Sequence, residues 1–322
     1  MKEKSNNKKT PWWNSKKISL IFLIVFVCTN IVWGFLFLRE RKSEDYINPF
    51  PLIEASRSFV DQEHFFTTIE PIRRDLVSRV GEYEAQGFEI GLYFEYLNTG
   101  ASISINEEKR FFPASLSKMP TAFVVMKKIQ DGEWKLSNEL VLFMEDRNSD
   151  FGELYQEPVG TRLTIEELLF ELLVNSDDTA HRIFLRNLSE DGYEELFNAL
   201  GFSDFYDSQY RVTAREYTRI FRALYTSSYL SRQHSTTLLE ILSSTYFNTF
   251  LDAGIPEGVT FAHKIGINDL DTIYLDSGIV YVPNRPYLIT LMIDVPSEKT
   301  RQDAEMIMKE ISSVIYQYVA NY

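Results

Sequence analysis

Ser115 and Lys118, in the stretch Phe112-Pro113-Ala114-Ser115-Leu116-Ser117-Lys118-Met119-Pro120, set a hydroxyl and an amine three residues apart. On a helix that spacing brings both side chains to one face. A serine at the start of the helix also has its oxygen near the positive end of the macrodipole, where a developing alkoxide or oxyanion is favoured. The pair therefore reads as nucleophile chemistry without a histidine. The same spacing arises by chance in many helices, so its company decides the matter.

Two further segments supply that company. Ser176-Asp177-Asp178, within Leu173-Val174-Asn175-Ser176-Asp177-Asp178-Thr179-Ala180, adds a second serine and two carboxylates. Lys264-Ile265-Gly266, after Phe261-Ala262-His263, adds a second amine. Taken singly, Lys118 reads as well as an exposed helix charge and Ser176 as a helix-terminal hydroxyl. Only the joint pattern favours chemistry.

The elements that must position these residues show in the hydrophobic pattern. A helix is expected over Thr68 to Gln86. Phe88, Ile90, Leu92 and Phe94 then alternate with Glu89, Gly91, Tyr93 and Glu95, the period of a half-buried strand. Asn98-Thr99-Gly100 supplies a turn, and Ala101 to Asn106 returns as the second strand of a hairpin. From Ser115 to about Leu200 the signals are helical. Thr164-Ile165-Glu166-Glu167 is a capping-box signature, with Ile165, Leu168, Leu169, Leu172 and Leu173 on one face. Further helices are expected at Asp178 to Leu188, Gly192 to Leu200, Thr213 to Tyr225 and Ser231 to Ser244. Strand character returns at Ile273 to Val282 and Tyr287 to Asp294. Ala304, Ile307, Met308, Ile311, Val314, Ile315 and Val319 then form a terminal helical stripe. This order implies an α+β fold: an antiparallel sheet built from both ends of the chain, flanking helices, and an all-helical lobe.

The N-terminal region reads differently. Ile18 to Leu38 runs 21 residues without a charge, enough to cross a hydrocarbon layer at 1.5 Å per residue. Lys2, Lys4, Lys8, Lys9, Lys16 and Lys17 precede it, with only Glu3 against them, so the N-terminus is expected on the cytoplasmic side. A cleaved signal peptide needs a shorter apolar run and a small-residue cleavage site, and Val32-Trp33-Gly34 is the nearest match. The uncleaved anchor is favoured. The expected organisation is a basic tail at 1–17, one transmembrane helix at 18–38, a juxtamembrane connector at 39–65, and a catalytic domain at 66–322 outside the cytoplasm.

Composition narrows the partners. The chain has 322 residues, 44% hydrophobic, ample for a sizeable core. Its net charge is −13, more acidic still once the lysine-rich tail is set aside, which argues against nucleic-acid binding. Cys28 is the one cysteine and lies in the apolar run, leaving no disulfide or thiolate site beyond it. His64, His181, His234 and His263 show no metal-ligand spacing. No cofactor or metal is implied.

The three segments stand where S-x-x-K, S-D-N and K-T-G fall in the serine β-lactamases and penicillin-binding proteins. From about residue 67 to the end, the chain resembles class A β-lactamases. The resemblance implies that Ser115 attacks a strained lactam or peptide carbonyl and that Lys118 accepts its proton as a neutral amine. It implies that Ser176 passes a proton to the departing nitrogen, with backbone N–H groups of Ser115 and Ile267 as the oxyanion hole. Asp178, Lys264, Ile265, Gly266 and Ile267 would bind substrate. The alternatives are a penicillin-binding-protein-like peptidase acting on cell-wall peptides, and a catalytically impaired binding domain.

Three departures qualify the match. Asp178 stands where the family has an asparagine whose amide donates to the substrate carbonyl, and a carboxylate cannot donate unless protonated. Close to Lys118 it would also favour the ammonium, opposing the proposed base. Ile265 replaces a threonine whose hydroxyl helps to bind the substrate carboxylate. Finally, Glu194-Glu195-Leu196-Phe197-Asn198 looks like the family's deacylation stretch E-x-x-L-N, yet its setting reads as a helix ending at Gly201. The loop from Gly201 to Thr213 offers Asp204 and Asp207 but no glutamate, and Glu216 beyond it reads as a surface residue. An acyl-enzyme lacking that glutamate would persist.

Overall fold

The structure, a computed structural model, describes residues 20, 23–30, 50–53, 69–270 and 272–321. The chain divides into two units, Met1–Pro49 and Phe50–Tyr322. Of the first, residues 20 and 23–30 are described and are helical, with Leu23, Ile24, Val25 and Phe26 exposed. The 1–17 tail, most of the expected span at 18–38 and most of the 39–65 connector lie outside the described residues. Among the described residues no helix is long and apolar enough to cross a membrane. Residues 50–53 of the expected connector belong to the second unit: Ile53 is buried, and the Leu52 carbonyl accepts from Tyr281 OH at 2.8 Å.

The second unit opens with α1 (Glu70–Glu84), close to the expected bounds, then the hairpin β1 (Glu89–Tyr96) and β2 (Ala101–Ile105). A short β3 (Arg110–Phe111) leads to the nucleophile turn and α2 (Lys118–Gln130). The lobe continues with β4 (Glu139–Val141), β5 (Arg162–Thr164), α3 (Ile165–Leu173), α4 (Asp178–Asn187) and α5 (Glu190–Ala199). After β6 (Val212–Thr213) come α6 (Ala214–Thr226) and α7 (Arg232–Ser243). Three long strands follow, β7 (Phe261–Asn268), β8 (Ile273–Val280) and β9 (Tyr287–Asp294), and α8 (Arg301–Asn321) ends the unit.

The main sheet has the order β2-β1-β9-β8-β7, antiparallel throughout. The late strands thus pair with the early hairpin through β1 and β9, as the element order requires. Side chains alternate across a strand, and the two cores follow that alternation. On β9, Ile289, Leu291 and Ile293 join α1 and α8 in one core, while Leu288 and Met292 join the helical lobe in the other. The same rule applied to β7 turns Ala262 toward the lobe and Phe261 and Ile265 toward the opposite core. Lys264 therefore faces the lobe.

Local signals explain the lobe's framework. Thr164 caps α3: its Oγ1 accepts from Glu167 N at 3.2 Å, and Glu167 Oε2 accepts from Thr164 N at 2.8 Å. Such a cap contributes about 1 kcal/mol. The helix then buries Ile165, Leu168, Leu169, Leu172 and Leu173, the stripe read from sequence. β1 differs from its half-buried expectation, since it is covered on both faces and only Glu89 is exposed. Its polar residue Glu95 is satisfied inside by Arg222 of α6 and by Tyr93 OH.

Candidate active site

Ser115 lies in a 3-10 turn, Ala114–Ser117, that runs directly into α2. Ala114 has φ 46°, a left-handed conformation uncommon outside glycine. The turn is anchored from behind: Leu116 is fully buried, and its carbonyl accepts from Tyr217 OH at 2.9 Å. Pro120 falls in the first turn of α2, where the missing N–H has no helical partner to lose. These constraints hold Ser115 half-buried while Lys118 is 1% exposed.

The second segment arrives on the α3–α4 connection. Ser176 is buried with φ 55°, which turns the chain sharply before α4. Asp177, fully buried, caps α4 by accepting from Ala180 N at 2.8 Å and ties in the neighbouring loop through Leu154 N at 2.9 Å. Burial pushes its carboxyl upward against those bonds. Asp178 then emerges with its side chain 25% exposed. The third segment is β7, the edge strand, with Gly266 packed on Pro113 and Leu116.

These pieces converge on Lys118. Its Nζ lies 2.8 Å from Ser115 Oγ, 2.5 Å from the Ser176 carbonyl oxygen, 2.6 Å from Asp178 Oδ1 and 3.3 Å from Ser176 Oγ. Three short contacts match the three N–H bonds of an ammonium. Lys264 Nζ, fully buried, donates to Ser176 Oγ at 2.8 Å and reaches the Ile265 carbonyl at 3.2 Å. Ser176 Oγ is thus shared by both amines. Burial, reinforced by Lys118, holds Lys264 well below its ordinary value. Burial also pulls Lys118 down, although Asp178 opposes it. Desolvation outweighs the carboxylate expected to cancel it.

The structure brings Ser115, Lys118, Ser176, Asp178 and Lys264 together and sets Gly266 against the nucleophile turn. Ile267 follows on the same edge strand. Ile265 lies elsewhere: its side chain is 2% exposed in the core behind the sheet, where neighbouring strand residues must alternate. A threonine hydroxyl there would meet apolar surroundings, and isoleucine suits the position. His263 shares that far side, bonding Asp276 at 2.9 Å and stacking on Phe261.

Among the described residues, none of the acids weighed for deacylation hydrogen-bonds a member of this cluster. Glu194 and Glu195 are exposed on α5, which ends at Gly201 with φ 74° as its glycine implied. Asp207 folds back on Arg211 and Gln209 N, and Glu216 caps α6 and pairs with Arg110. Asp177 was the functional neighbour missed in the sequence, although an acid followed three residues later by an apolar helix start is a capping signal. His181, bonded through Thr121 Oγ1 to Tyr193 OH, was missed as well. Burial, with Lys118 and Lys264 nearby, lowers its pKa to about 3. A cavity of about 670 Å³ bounded by Phe151, Glu153, Asn175 and Tyr246 adjoins this region, since Phe151 O accepts from Asp178 N at 3.0 Å.

The chain is similar to several known proteins. Beta-lactamase VEB-1 of Pseudomonas aeruginosa is 22% identical over 262 residues, 74% of this chain and 88% of that protein. Beta-lactamase 3 of Bacillus cereus is 21% identical over 243 residues, covering 70% of this chain and 73% of its own length. Among solved structures, a β-lactamase from Sphaerobacter thermophilus superposes with a TM-score of 0.70 at 22% identity, covering 76% of this chain and 96% of its own. PBP-A does so at 0.68 and 24%, covering 78% and 96%. These likenesses fix the fold as that of the β-lactamases. Residues 72–319 match the model of the Beta-lactamase enzyme family, and the chain belongs to that family.

Proposed function

We propose that the chain is a membrane-anchored serine hydrolase that forms an acyl-enzyme at Ser115 with a β-lactam or a related amide or ester. The single observation that carries this reading is the 2.8 Å contact between Lys118 Nζ and Ser115 Oγ, with both groups held by a buried framework. Ser115 Oγ attacks the carbonyl carbon and yields its proton to Lys118. Ser176, bonded to Lys264, protonates the departing nitrogen. Backbone N–H groups of Ser115 and Ile267 receive the oxyanion. A mutant of PBP-A described as an acyl-enzyme complex with penicillin G supports the choice of substrate class. Release of the acyl group is slow, because Asp207 and Glu216 are committed to other contacts while Glu194 and Glu195 are exposed on α5.

The uncharged run from 18 to 38 and the lysine-rich tail support a single-pass anchor with the hydrolase outside the cytoplasm. Intact-mass analysis after incubation with penicillin tests the chemistry. The expected result is a stoichiometric adduct on the wild type and none on Ser115→Ala. No adduct with any penicillin, cephalosporin or activated ester defeats the reading.

A second reading is favoured by one contact. Asp178 Oδ1 at 2.6 Å occupies an N–H of Lys118 and supplies no donor, as expected of a cleft that binds without reacting. In that case the wild type binds penicillin without gaining mass, and Asp178→Asn creates acylation. A cell-wall peptidase is the further alternative, recognised by release of terminal D-alanine from muropeptides.

A further inference from the structure

Lys118 touches the nucleophile and a carboxylate at once, 2.8 Å from Ser115 Oγ and 2.6 Å from Asp178 Oδ1. As an ammonium it spends its three N–H bonds on Ser115 Oγ, the Ser176 carbonyl and Asp178, and keeps no lone pair for the Ser115 proton. To act as a base it must first lose a proton, and the acceptor must lie within hydrogen-bond distance. The charged groups facing this nitrogen are few. Lys264 approaches from β7 through Ser176 Oγ and is itself a proton donor there. Asp177 commits both oxygens to Ala180 N and Leu154 N. His181, farther along α4, is bonded to Thr121. Asp178 alone among these makes a direct contact and opens toward solvent.

We propose that Lys118 and Asp178 share one proton, and that the reactive form carries it on Asp178. The transfer balances within the pair: an N–H bond of Lys118 breaks, an O–H bond of Asp178 forms, and the net charge stays zero. Two requirements are met in one step. Lys118 gains the lone pair that takes the Ser115 proton as Oγ bonds the carbonyl carbon. Asp178 gains the O–H that can donate to the substrate carbonyl, replacing the amide donor expected at this position.

The surroundings favour the neutral form. A buried ion pair recovers only part of its desolvation cost, and the cost grows when substrate displaces water from the open side of Asp178. A positive charge on Lys264 would add like-charge repulsion to an ammonium at Lys118. The inference rests on the acyl-enzyme reading and deepens it by assigning Asp178 a part in both acid and base chemistry.

The test is the pH dependence of acylation by an activated ester or penicillin, measured on the full-length protein. In the wild type the rate is bell-shaped, because the pair must hold one proton: a second leaves Lys118 without an acceptor, and loss of the last leaves Asp178 without a donor. Asp178→Asn donates at every pH and accepts no proton, so its rate rises through one titration and has no descending limb from the pair. Asp178→Ala acylates about a hundredfold more slowly than Asp178→Asn, the scale of a lost carbonyl donor. Lys264 is common to all three proteins, and because the Asp178 charge raises its pKa, its titration moves to lower pH alike in both variants, so it cancels between Asp178→Asn and Asp178→Ala. Superposable profiles for wild type and Asp178→Asn overturn the proposal.

A readout independent of any reaction separates this from failure of the hydrolase itself. In carbon-13 NMR of the free protein, the Lys118 Cε and Asp178 Cγ signals should both move in each of two shared titration steps. Separate single titrations overturn the shared proton even if acylation is seen. Absence of acylation in every variant overturns the hydrolase reading and leaves the NMR result to decide the proton's position.

Discussion

Gly266 on β7 and Pro113 ahead of the nucleophile are in direct apposition: a Cβ on Gly266 would lie 2.9 Å from the Pro113 carbonyl oxygen and 3.2 Å from Leu116 Cγ. The edge strand and the nucleophile turn are therefore set against each other by the lack of one methyl group. Pro113 O is backbone and already accepts from Leu116 N at 2.9 Å, so it has little freedom to retreat. Gly266→Ala should destabilise the fold by about 1–3 kcal/mol, as other overpacked sites do. Acylation should fall by more than the unfolded fraction explains, because the turn carries Ser115. Paired melting and single-turnover measurements decide it.

Lys264→Met should move activity and stability in opposite directions. The buried amine holds Ser176 Oγ and, among the described residues, no carboxylate bonds it, so an apolar replacement removes a desolvated amine. The expected outcome is unchanged or higher thermal stability with acylation reduced about a hundredfold or more. A variant that both melts early and reacts normally would contradict the site.

Asp177 sets the position of both its neighbours. Asp177→Ala leaves the N–H groups of Ala180 and Leu154 without their acceptor, a loss of about 1–3 kcal/mol for each unsatisfied group. Urea unfolding should show the decrease without a change in slope. Gly152 packs on the same carboxylate with φ 87°, so Gly152→Ala should be destabilising as well.

His181 gives a pH dependence with a definite sign. Burial takes its pKa from an ordinary 6.5 down to about 3 in the folded protein. Between these values the unfolded chain binds the proton and the folded one does not. Stability from this residue is therefore complete above pH 6.5 and is lost as pH falls toward 3. Melting curves of His181→Gln should show a shallower acid loss than the wild type across that window.

The stretch at 50–53 predicts where the hydrolase unit can be shortened. Starting the chain at Phe50 keeps buried Ile53 and the bond between Leu52 and Tyr281, whereas starting at 66 removes both. One buried isoleucine contributes about 2 kcal/mol, corresponding to a melting temperature lower by about 5 °C in the shorter chain. Differential scanning calorimetry of the two lengths checks this.

Motif spacing made the site legible where chemistry is carried by side chains near in sequence. Ser115 with Lys118, and the capping box at Thr164, could be read because both partners lie within one helical turn. The two-sided burial of β1 was hidden because Glu95 finds Arg222 on an element 127 residues away. Alternation reports polarity, and it cannot report a distant partner that neutralises it. Ile265 was weighed as a lost hydroxyl beside Lys264, yet adjacent strand residues face opposite sides of a sheet. The small pair β4 and β5 escaped notice because three-residue strands carry too few side chains to show a period. The contact between Lys118 and Asp178 was anticipated, but which effect prevails there depends on burial, a property of the assembled lobe.

Ala114, with φ 46°, directly precedes Ser115, and the proton donor Ser176 is itself held at φ 55°. A left-handed non-glycine residue costs about 1–2 kcal/mol, while replacing it with glycine restores about 0.4–1 kcal/mol of unfolded-chain entropy to be lost on folding. The entropy offsets only part of the strain, so Ala114→Gly is expected to melt at or slightly above the wild type. What it surrenders is the angular definition of the serine, which ties the precision of this cleft to backbone stiffness at a position that itself performs no chemistry.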